Sequence, residues 1–353
     1  MSFELTIEPL GETITIQDGQ TILDACLRNG IYLPYQCNHG LCSTCKLSVL
    51  EGEVDHGEAS PFALMDYERE EHRALACCAT ARSDLVVEAD VEVDPDALNL
   101  DVRDVVGTVA RLENLTDDIL GLWLSIPGEG LPFQAGQYVN VEIPGCAEPR
   151  SFSIASAPAD PNTIELHIRK VPGGTATEWL HQNAHIGLEL RLTGPLGRFF
   201  VRASHAEPII FLAGGSGLSS PKSMTLDLLN SGWTGPITLI HGVRTVKDLY
   251  FESEFRQLAS ENSNFNYVPV LSQSSSDDSW GGARGFVHEA AEALFGGSFR
   301  GHKAYLCGPP PMIDACIRSL MKGRLFEKDI FTETFLTRSD SETAAKSPLF
   351  KKI

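Results

Sequence analysis

Residues Gln36 to Lys46 read QCNHGLCSTCK, and this stretch decides how the rest of the chain is read. Cys37, Cys42 and Cys45 form C-x4-C-x2-C, and Cys77 follows after 31 intervening residues. That order matches the thiolate set of a plant-type 2Fe-2S centre. Between the ligands lie Asn38, His39, Gly40, Leu41, Ser43 and Thr44, a glycine among small and polar residues that lets the backbone wrap closely. Backbone N–H groups can then point at the sulfides and offset their negative charge. A four-cysteine zinc site is the alternative, but such sites pair their ligands in two short knuckles. Here three ligands crowd one loop and the fourth arrives alone. Cys77 and Cys78 are adjacent, and on an extended chain only one of them can face a cluster.

Outside this stretch the cysteines thin out. Five of nine fall between Cys37 and Cys78, while Cys26, Cys146, Cys307 and Cys316 are scattered, a distribution that asks for a metal group and not for disulfides. The 353 residues carry 28 Lys and Arg against 47 Asp and Glu, a net charge of −19. A general nucleic-acid binder needs a basic face, so that class is excluded. No apolar run approaches the roughly 18 residues of a membrane span. The opening Met1, Ser2, Phe3, Glu4, Leu5 is neither basic nor apolar, so a soluble, cytoplasmic protein without a signal peptide is expected.

Three segments follow from the patterning. Residues 1–93 hold 17 acidic against 5 basic side chains. Phe3, Leu5 and Ile7 alternate with Glu4, Thr6 and Glu8, and Ile14 and Ile16 continue the pattern, as in a half-buried hairpin. Thr21 to Asn29 reads as a short helix stopped by Gly30, and Lys46 to Leu50 and Leu85 to Val91 read as a second strand pair. The acidic run 94–104 is expected to be a linker. Residues 105–202 alternate over Gly121 to Ile126, Gln137 to Ile143, Ser151 to Ile154, Ile164 to Val171 and Glu189 to Thr193, the rhythm of a small barrel or sandwich. In residues 203–336 apolar strands (Pro208 to Ala213, Ile237 to Gly242, Asn266 to Leu271, Ala304 to Cys307) alternate with helical runs, which implies a doubly wound parallel sheet. Residues 337–353 form a polar tail.

The loop QCNHGLCSTCK, GEASPFALMD from Gly57, RSFSIAS from Arg150, AGGSGLSSP from Ala213 and YLCGPPPMID from Tyr305 together resemble the reductase components of multicomponent phenol hydroxylases, over essentially the whole chain. The resemblance implies a multidomain α+β and α/β fold: a β-grasp 2Fe-2S ferredoxin, a six-stranded antiparallel β-barrel for FAD, and an α/β nucleotide domain. It implies Cys77 as the closing ligand, because Leu75, Ala76 and Cys77 resemble the run that ends a ferredoxin cluster site. It also implies electron flow from NADH through FAD and the 2Fe-2S cluster to a di-iron hydroxylase that docks on the acidic ferredoxin domain. NADPH use stays open, as does service to an aromatic-ring dioxygenase or an alkene or toluene monooxygenase. A non-enzymatic binding module is the contrasting class, and it predicts a colourless or purely yellow protein that does not oxidise NADH.

Arg150, Ser151, Phe152 and Ser153 resemble the RxYS motif of ferredoxin reductases, with phenylalanine for tyrosine. An arginine fork grips a diphosphate, an aromatic ring covers the flavin, and a serine hydrogen-bonds N5 where hydride arrives. Ordinary inward barrel packing of Phe152 and Ile154, with Arg150 solvated, is the plain alternative. By resemblance His167, Ile168 and Arg169 line the adenine-side flank of the flavin. Gly174, Thr175 and Thr177 resemble a phosphate loop at a helix start.

Gly214, Gly215, Ser216 and Gly217 follow a strand and precede a helix without forming G-x-G-x-x-G, so the usual Rossmann fingerprint is absent. They resemble the GGTGxxP loop of the same reductases with one extra residue. Cys307, Gly308 and Pro309 resemble the loop beside the nicotinamide ring, with Ser153 and Cys307 as the residues nearest the chemistry. Arg244, Lys247 and Tyr250 are placed to touch the adenosine end. Phe335 stands where relatives carry an aromatic over the flavin.

Overall fold

The computed structural model describes residues 1–35, 38, 40–91, 94–204, 206–273 and 280–335. It divides into two compact units, Met1–Arg103 and Asp104–Ile353.

In the first unit the opening hairpin forms as its alternation requires, Ser2–Glu8 pairing antiparallel with Glu12–Gln17. A mixed five-stranded sheet grows from it in the order Glu12–Gln17, Ser2–Glu8, Leu85–Glu88, Lys46–Glu51, Arg73–Leu75. Leu5 pairs in parallel with Leu85, so the first and last strands are central neighbours. One helix, Ile22–Arg28, packs against this sheet. Thr21 caps it by accepting the Asp24 N–H at 3.2 Å, and Arg28 pairs back to Asp24 at 3.0 Å. Its face of Ile22, Leu23, Ala25 and Cys26 is buried with Leu5, Ile7, Leu47 and Val87. Each such aliphatic side chain contributes about 1.5–3 kcal/mol. This is the β-grasp arrangement.

The second unit opens with six antiparallel strands in the order Arg150–Ser153, Tyr138–Val141, Glu189–Leu196, Arg103–Asn114, Ile119–Ser125, Thr163–Arg169. A bridge from Ile154 to Leu166 brings the two outer strands together, so the barrel is nearly closed. Its interior holds Val109, Leu122, Leu124, Val139, Ile154, Leu166 and Ile168. The long strand Arg103–Asn114 is not among the strands legible in the sequence. Its pairing shifts register between Val109 and Arg111, and such a bulge breaks the period of two.

The remaining strands form a parallel sheet in the order Ala283–Arg284, Phe265–Leu271, Ile237–Val243, Ile209–Gly214, Lys303–Gly308, Ile330–Thr334. The order reverses direction between Ile209–Gly214 and Lys303–Gly308. Loops leaving the carboxyl ends of those two strands therefore open a crevice. Ile330–Thr334, the edge strand beside Lys303–Gly308, is a further element that the sequence did not announce. Among the described residues no helix is long and apolar enough to cross a membrane.

Candidate cluster, flavin and nucleotide sites

In the first unit the cysteine loop is shaped by left-handed residues: Asn38, Gly40 and Ser43 have φ of 57°, 72° and 62°. Two of these are not glycine, a conformation kept only where the surroundings impose it. Such turns aim successive N–H groups to one side. Side chain on Gly40 is impossible, because a Cβ there would lie 2.7 Å from Cys78 Sγ and 3.2 Å from the Ala59 backbone. The Ser60 N–H donates to Gly40 O at 3.1 Å, and Ser43 Oγ donates to Ala63 O at 2.8 Å, which ties the loop to residues 60–63.

Cys45 and Cys77 are buried, and the neighbouring Cys77 side chain together with burial pushes the Cys45 thiol up. Cys77 and Cys78 sulfurs lie 3.7 Å apart. Cys42 is half-buried, and Cys37 lies outside the described residues. Among the described residues no group of three or more His, Cys, Asp or Glu side chains gathers as one metal ion would need. A two-iron cluster held by four cysteines needs only two thiols on each iron, and the Cys45–Cys77 pair fits that demand.

In the second unit Arg150–Ser153 forms an outer barrel strand. Arg150 donates to the carbonyl oxygens of Glu148 at 2.9 Å and Pro149 at 3.0 Å and remains partly exposed. Ser151 Oγ donates to Asn140 Oδ1 at 2.7 Å, and Phe152 packs one side against the barrel core. Ser153 is buried, and its hydroxyl donates to Glu333 Oε2 at 3.0 Å. The same oxygen accepts from Ser220 Oγ at 2.6 Å and from Cys307 Sγ at 3.4 Å. Burial pushes both the Glu333 carboxyl and the Cys307 thiol up. A Cys307 held as the thiol is no nucleophile. Ser153 and Cys307, singled out separately in the sequence, thus meet on a third residue that sequence reasoning missed.

Gly174 caps the helix Thr175–Asn183, and Thr177 Oγ1 accepts the Val171 N–H at 3.1 Å, holding the turn that leads into it. His167 and Ile168 do not present side chains to an open flank. Ile168 is fully buried in the barrel, and His167 is engaged by Glu165 at 2.8 Å. Arg169 points to the nucleotide side: it pairs with Asp118 at 3.2 Å and lines a cavity of about 400 Å³ together with Gly214, Gly215, Arg244 and Pro309.

That cavity sits at the crevice of the parallel sheet. Gly215 has φ of +55°, and a Cβ on it would project into open space with only Arg169 Nη1 near, at 3.9 Å. Ser216, Gly217 and Cys307 lie buried. A Cβ on Gly217 would collide with the Cys307 carbonyl, and one on Gly214 with Met312, so the two glycine-bearing loops touch without side chains between them. The cavity is thus a glycine cradle with Arg244 and Arg169 at hand for an anionic, elongated ligand. Phe335 closes the other side of the strand, its N–H donating to Gly308 O at 3.0 Å. Tyr250 is not among the residues lining this cavity. It is buried, and its hydroxyl donates to Gly215 O at 3.1 Å.

Comparison with known proteins gives each region a counterpart. Residues 5–82 match the 2Fe-2S iron-sulfur cluster binding domain, residues 108–201 the oxidoreductase FAD-binding domain, and residues 211–318 the oxidoreductase NAD-binding domain. The chain is 54% identical to the reductase component DmpP of phenol 2-monooxygenase from Pseudomonas sp. strain CF600, over 100% of both chains. It is 50% identical to the phenol hydroxylase P5 protein of Acinetobacter pittii strain PHEA-2, again over 100% of both. The chain belongs to the phenol hydroxylase reductase components. Among solved structures, the reductase is similar to the Amycolatopsis cytochrome P450 reductase GcoB, with TM-score 0.84 and 34% identity over 94% of this chain and 98% of that one. The ferredoxin reductase of carbazole 1,9a-dioxygenase follows the same fold, with TM-score 0.75 and 28% identity over 95% and 99%. The reductase is an NADH-dependent flavin iron–sulfur oxidoreductase, with one matched segment for each of the 2Fe-2S cluster, FAD and the nicotinamide nucleotide.

Proposed function

We propose that this reductase carries electrons from NADH to the di-iron oxygenase component of a phenol hydroxylase. When bound, FAD supplies hydride acceptance, and a 2Fe-2S cluster supplies one-electron delivery at a potential of about −400 mV. The observation that carries the reading is the shared carboxylate: Ser153 and Cys307 both donate to Glu333 Oε2, which holds the flavin strand and the nucleotide loop at hydrogen-bond range. Hydride transfer needs donor and acceptor fixed about 3–3.5 Å apart, and cross-links of this kind keep them so.

In this reading residues 1–93 form the ferredoxin domain, 94–104 the linker, whose last two residues already belong to the barrel strand Arg103–Asn114, 105–202 the FAD barrel and 203–336 the NAD domain, while the tail 337–353 lies outside the described residues. Cys37, Cys42, Cys45 and Cys77 would hold the 2Fe-2S cluster. Arg150 would grip the FAD diphosphate, Gly174, Thr175 and Thr177 would cradle it at their helix start, Phe152 and Phe335 would flank the ring, and Ser153 would stand beside its N5. Any contact from His167 or Ile168 to FAD runs through their backbone. Gly214, Gly215, Ser216 and Gly217 with Cys307, Gly308 and Pro309 shape the nicotinamide cradle, and Arg244 and Arg169 neutralise the NADH diphosphate.

The oxygenase docks on the ferredoxin domain. Two features support this: the 17 acidic against 5 basic residues of that segment, and the exposed Leu41 and Phe62 beside the cysteine loop. Acidic charge steers a basic partner, and apolar contact holds it close enough for electron transfer. A cytoplasmic location suits this role, since NADH and reduced thiols are available there.

Reconstitution tests the proposal. The reductase, NADH and the oxygenase components of a phenol hydroxylase should yield hydroxylated phenol in proportion to NADH consumed. NADH oxidation with ferricyanide but no product with those components, and product with another di-iron oxygenase, assigns a different partner.

A further inference from the structure

A run of buried polar side chains lies behind the nucleotide cavity, and its hydrogen bonds to one another serve none of the roles above. Lys222, on the helix Ser219–Asn230 that follows the glycine turn, is 6% exposed, and its ammonium donates to Glu165 Oε2 at 2.6 Å. Glu165 lies on the barrel strand Thr163–Arg169, with Oε1 2.8 Å from His167 Nε2. His167 Nδ1 faces the Tyr250 hydroxyl at 3.4 Å, and that hydroxyl donates to Gly215 O at 3.1 Å. The run therefore starts on the helix, passes along one barrel strand through Glu165 and His167 and ends at the left-handed glycine of the cavity.

Its proton arrangement follows from the partners. Glu165 is ionised beside Lys222, so the proton of a neutral His167 sits on Nε2 and Nδ1 is an acceptor. Tyr250 has one proton, held between that acceptor and the nearer Gly215 carbonyl. Its ring is fixed edge-on to His241, with centroids 5.5 Å apart, and tilted against Phe251 at the same distance. A buried lysine and glutamate are costly unless paired and hydrogen-bonded. Once satisfied, such a network is stiff.

We propose that Tyr250 is a positioning residue for the nicotinamide nucleotide: held in place by Lys222, Glu165 and His167, it fixes the Gly215 carbonyl and with it the shape of the turn that receives NADH. The proposal rests on the reading of the cavity as the NADH site. A preshaped turn does not have to be ordered when the ligand arrives, so the gain appears as affinity.

The test is Tyr250→Phe in the full-length holoenzyme, with NADH KM and kcat measured on ferricyanide, the Kd of NAD+ measured by equilibrium titration, and FAD content. KM and Kd should rise together by roughly three- to tenfold, as expected for one lost hydrogen bond, with kcat within about twofold and FAD retained. Unchanged KM and Kd overturn the proposal, as does FAD loss that accounts for the lost activity. The double variant Glu165→Gln with Lys222→Met removes the ion pair without stranding a charge. It should raise KM in the same direction, and adding Tyr250→Phe to it should have less effect than in the wild type. Full additivity overturns the role of the run. If the wild-type protein itself neither binds NAD+ nor oxidises NADH, the reading of the cavity fails; if it does both and the Tyr250→Phe variant matches it, only this inference fails.

Discussion

Ser153 donates a 3.0 Å hydrogen bond to Glu333, a residue 180 positions further along the chain. The first lies on the outer barrel strand and the second on the edge strand of the parallel sheet, so one half-buried carboxylate joins two folds. Because Ser220 and Cys307 donate to the same oxygen, the site has three donors converging on one acceptor. Glu333→Gln keeps the shape but replaces one accepting oxygen with an amide group that can only donate. Flavin reduction at saturating NADH, followed by rapid mixing, should slow roughly 10- to 100-fold, the cost of small misplacement at a reacting centre. An unchanged rate would separate Glu333 from the chemistry.

The two adjacent cysteines are predicted to differ. The Cys77 thiol faces Cys45, whereas Cys78 Sγ packs against the Gly40 backbone. Cys77→Ser should lose the visible absorption of the cluster and its iron, and Cys78→Ser should keep both. The reverse pattern would move the fourth ligand by one residue.

Removing only one partner of the Lys222–Glu165 pair strands a buried charge. Lys222→Met should therefore lower stability by about 3–5 kcal/mol, read from urea unfolding, and Glu165→Gln added to it should recover most of the loss. Equal stability of the single and double variants would mean that Glu165 finds another partner or water.

Acid should weaken the nucleotide-binding sheet before it protonates most carboxylates. Burial holds His241 in its neutral form and pulls it down to about 4, and burial lowers His167 as well. An unfolded histidine takes up its proton near pH 6.5, while the folded one does not. Stability is thus intact above pH 6.5 and falls as the pH drops toward 4. For His241 the full loss amounts to about 3 kcal/mol. His241→Asn should flatten the slope of unfolding free energy over that window; an unaltered slope would show that this histidine does not control it.

Salt should slow delivery to the oxygenase more than internal reduction. With 17 acidic against 5 basic residues in the first 93, encounter with a basic partner weakens as the Debye length shrinks to about 10 Å at 0.1 M. Electron transfer rates measured between 20 and 300 mM salt should fall, while NADH reduction of the isolated reductase stays level. A flat partner rate would argue for apolar docking through Leu41 and Phe62 alone.

Much of this architecture is legible in the sequence where one chemical rule acts alone. The strands Ile209–Gly214 and Lys303–Gly308 are nearly continuous apolar runs because both of their faces are covered, and the alternation of Phe3, Leu5 and Ile7 reflects a single buried face. Where two rules compete, the signal fades. Arg103–Asn114 contains a bulge, and Ile330–Thr334 is a half-exposed edge strand carrying the acid that becomes Glu333. Side-chain direction was the least legible property. Arg169 turns toward Asp118 and the nucleotide cavity, and Tyr250 turns inward to Gly215, because elements distant in the chain supply their partners. Local spacing carries no information on such partners.

Anaerobic titration with NADH, followed together by optical absorption and electron paramagnetic resonance, tests the central claim most directly. The account predicts that the flavin absorbance bleaches and that the signal of a reduced 2Fe-2S centre then grows toward one spin per chain. A flavin that bleaches while no paramagnetic cluster ever develops, in protein containing iron and sulfide in equal amounts, would contradict it.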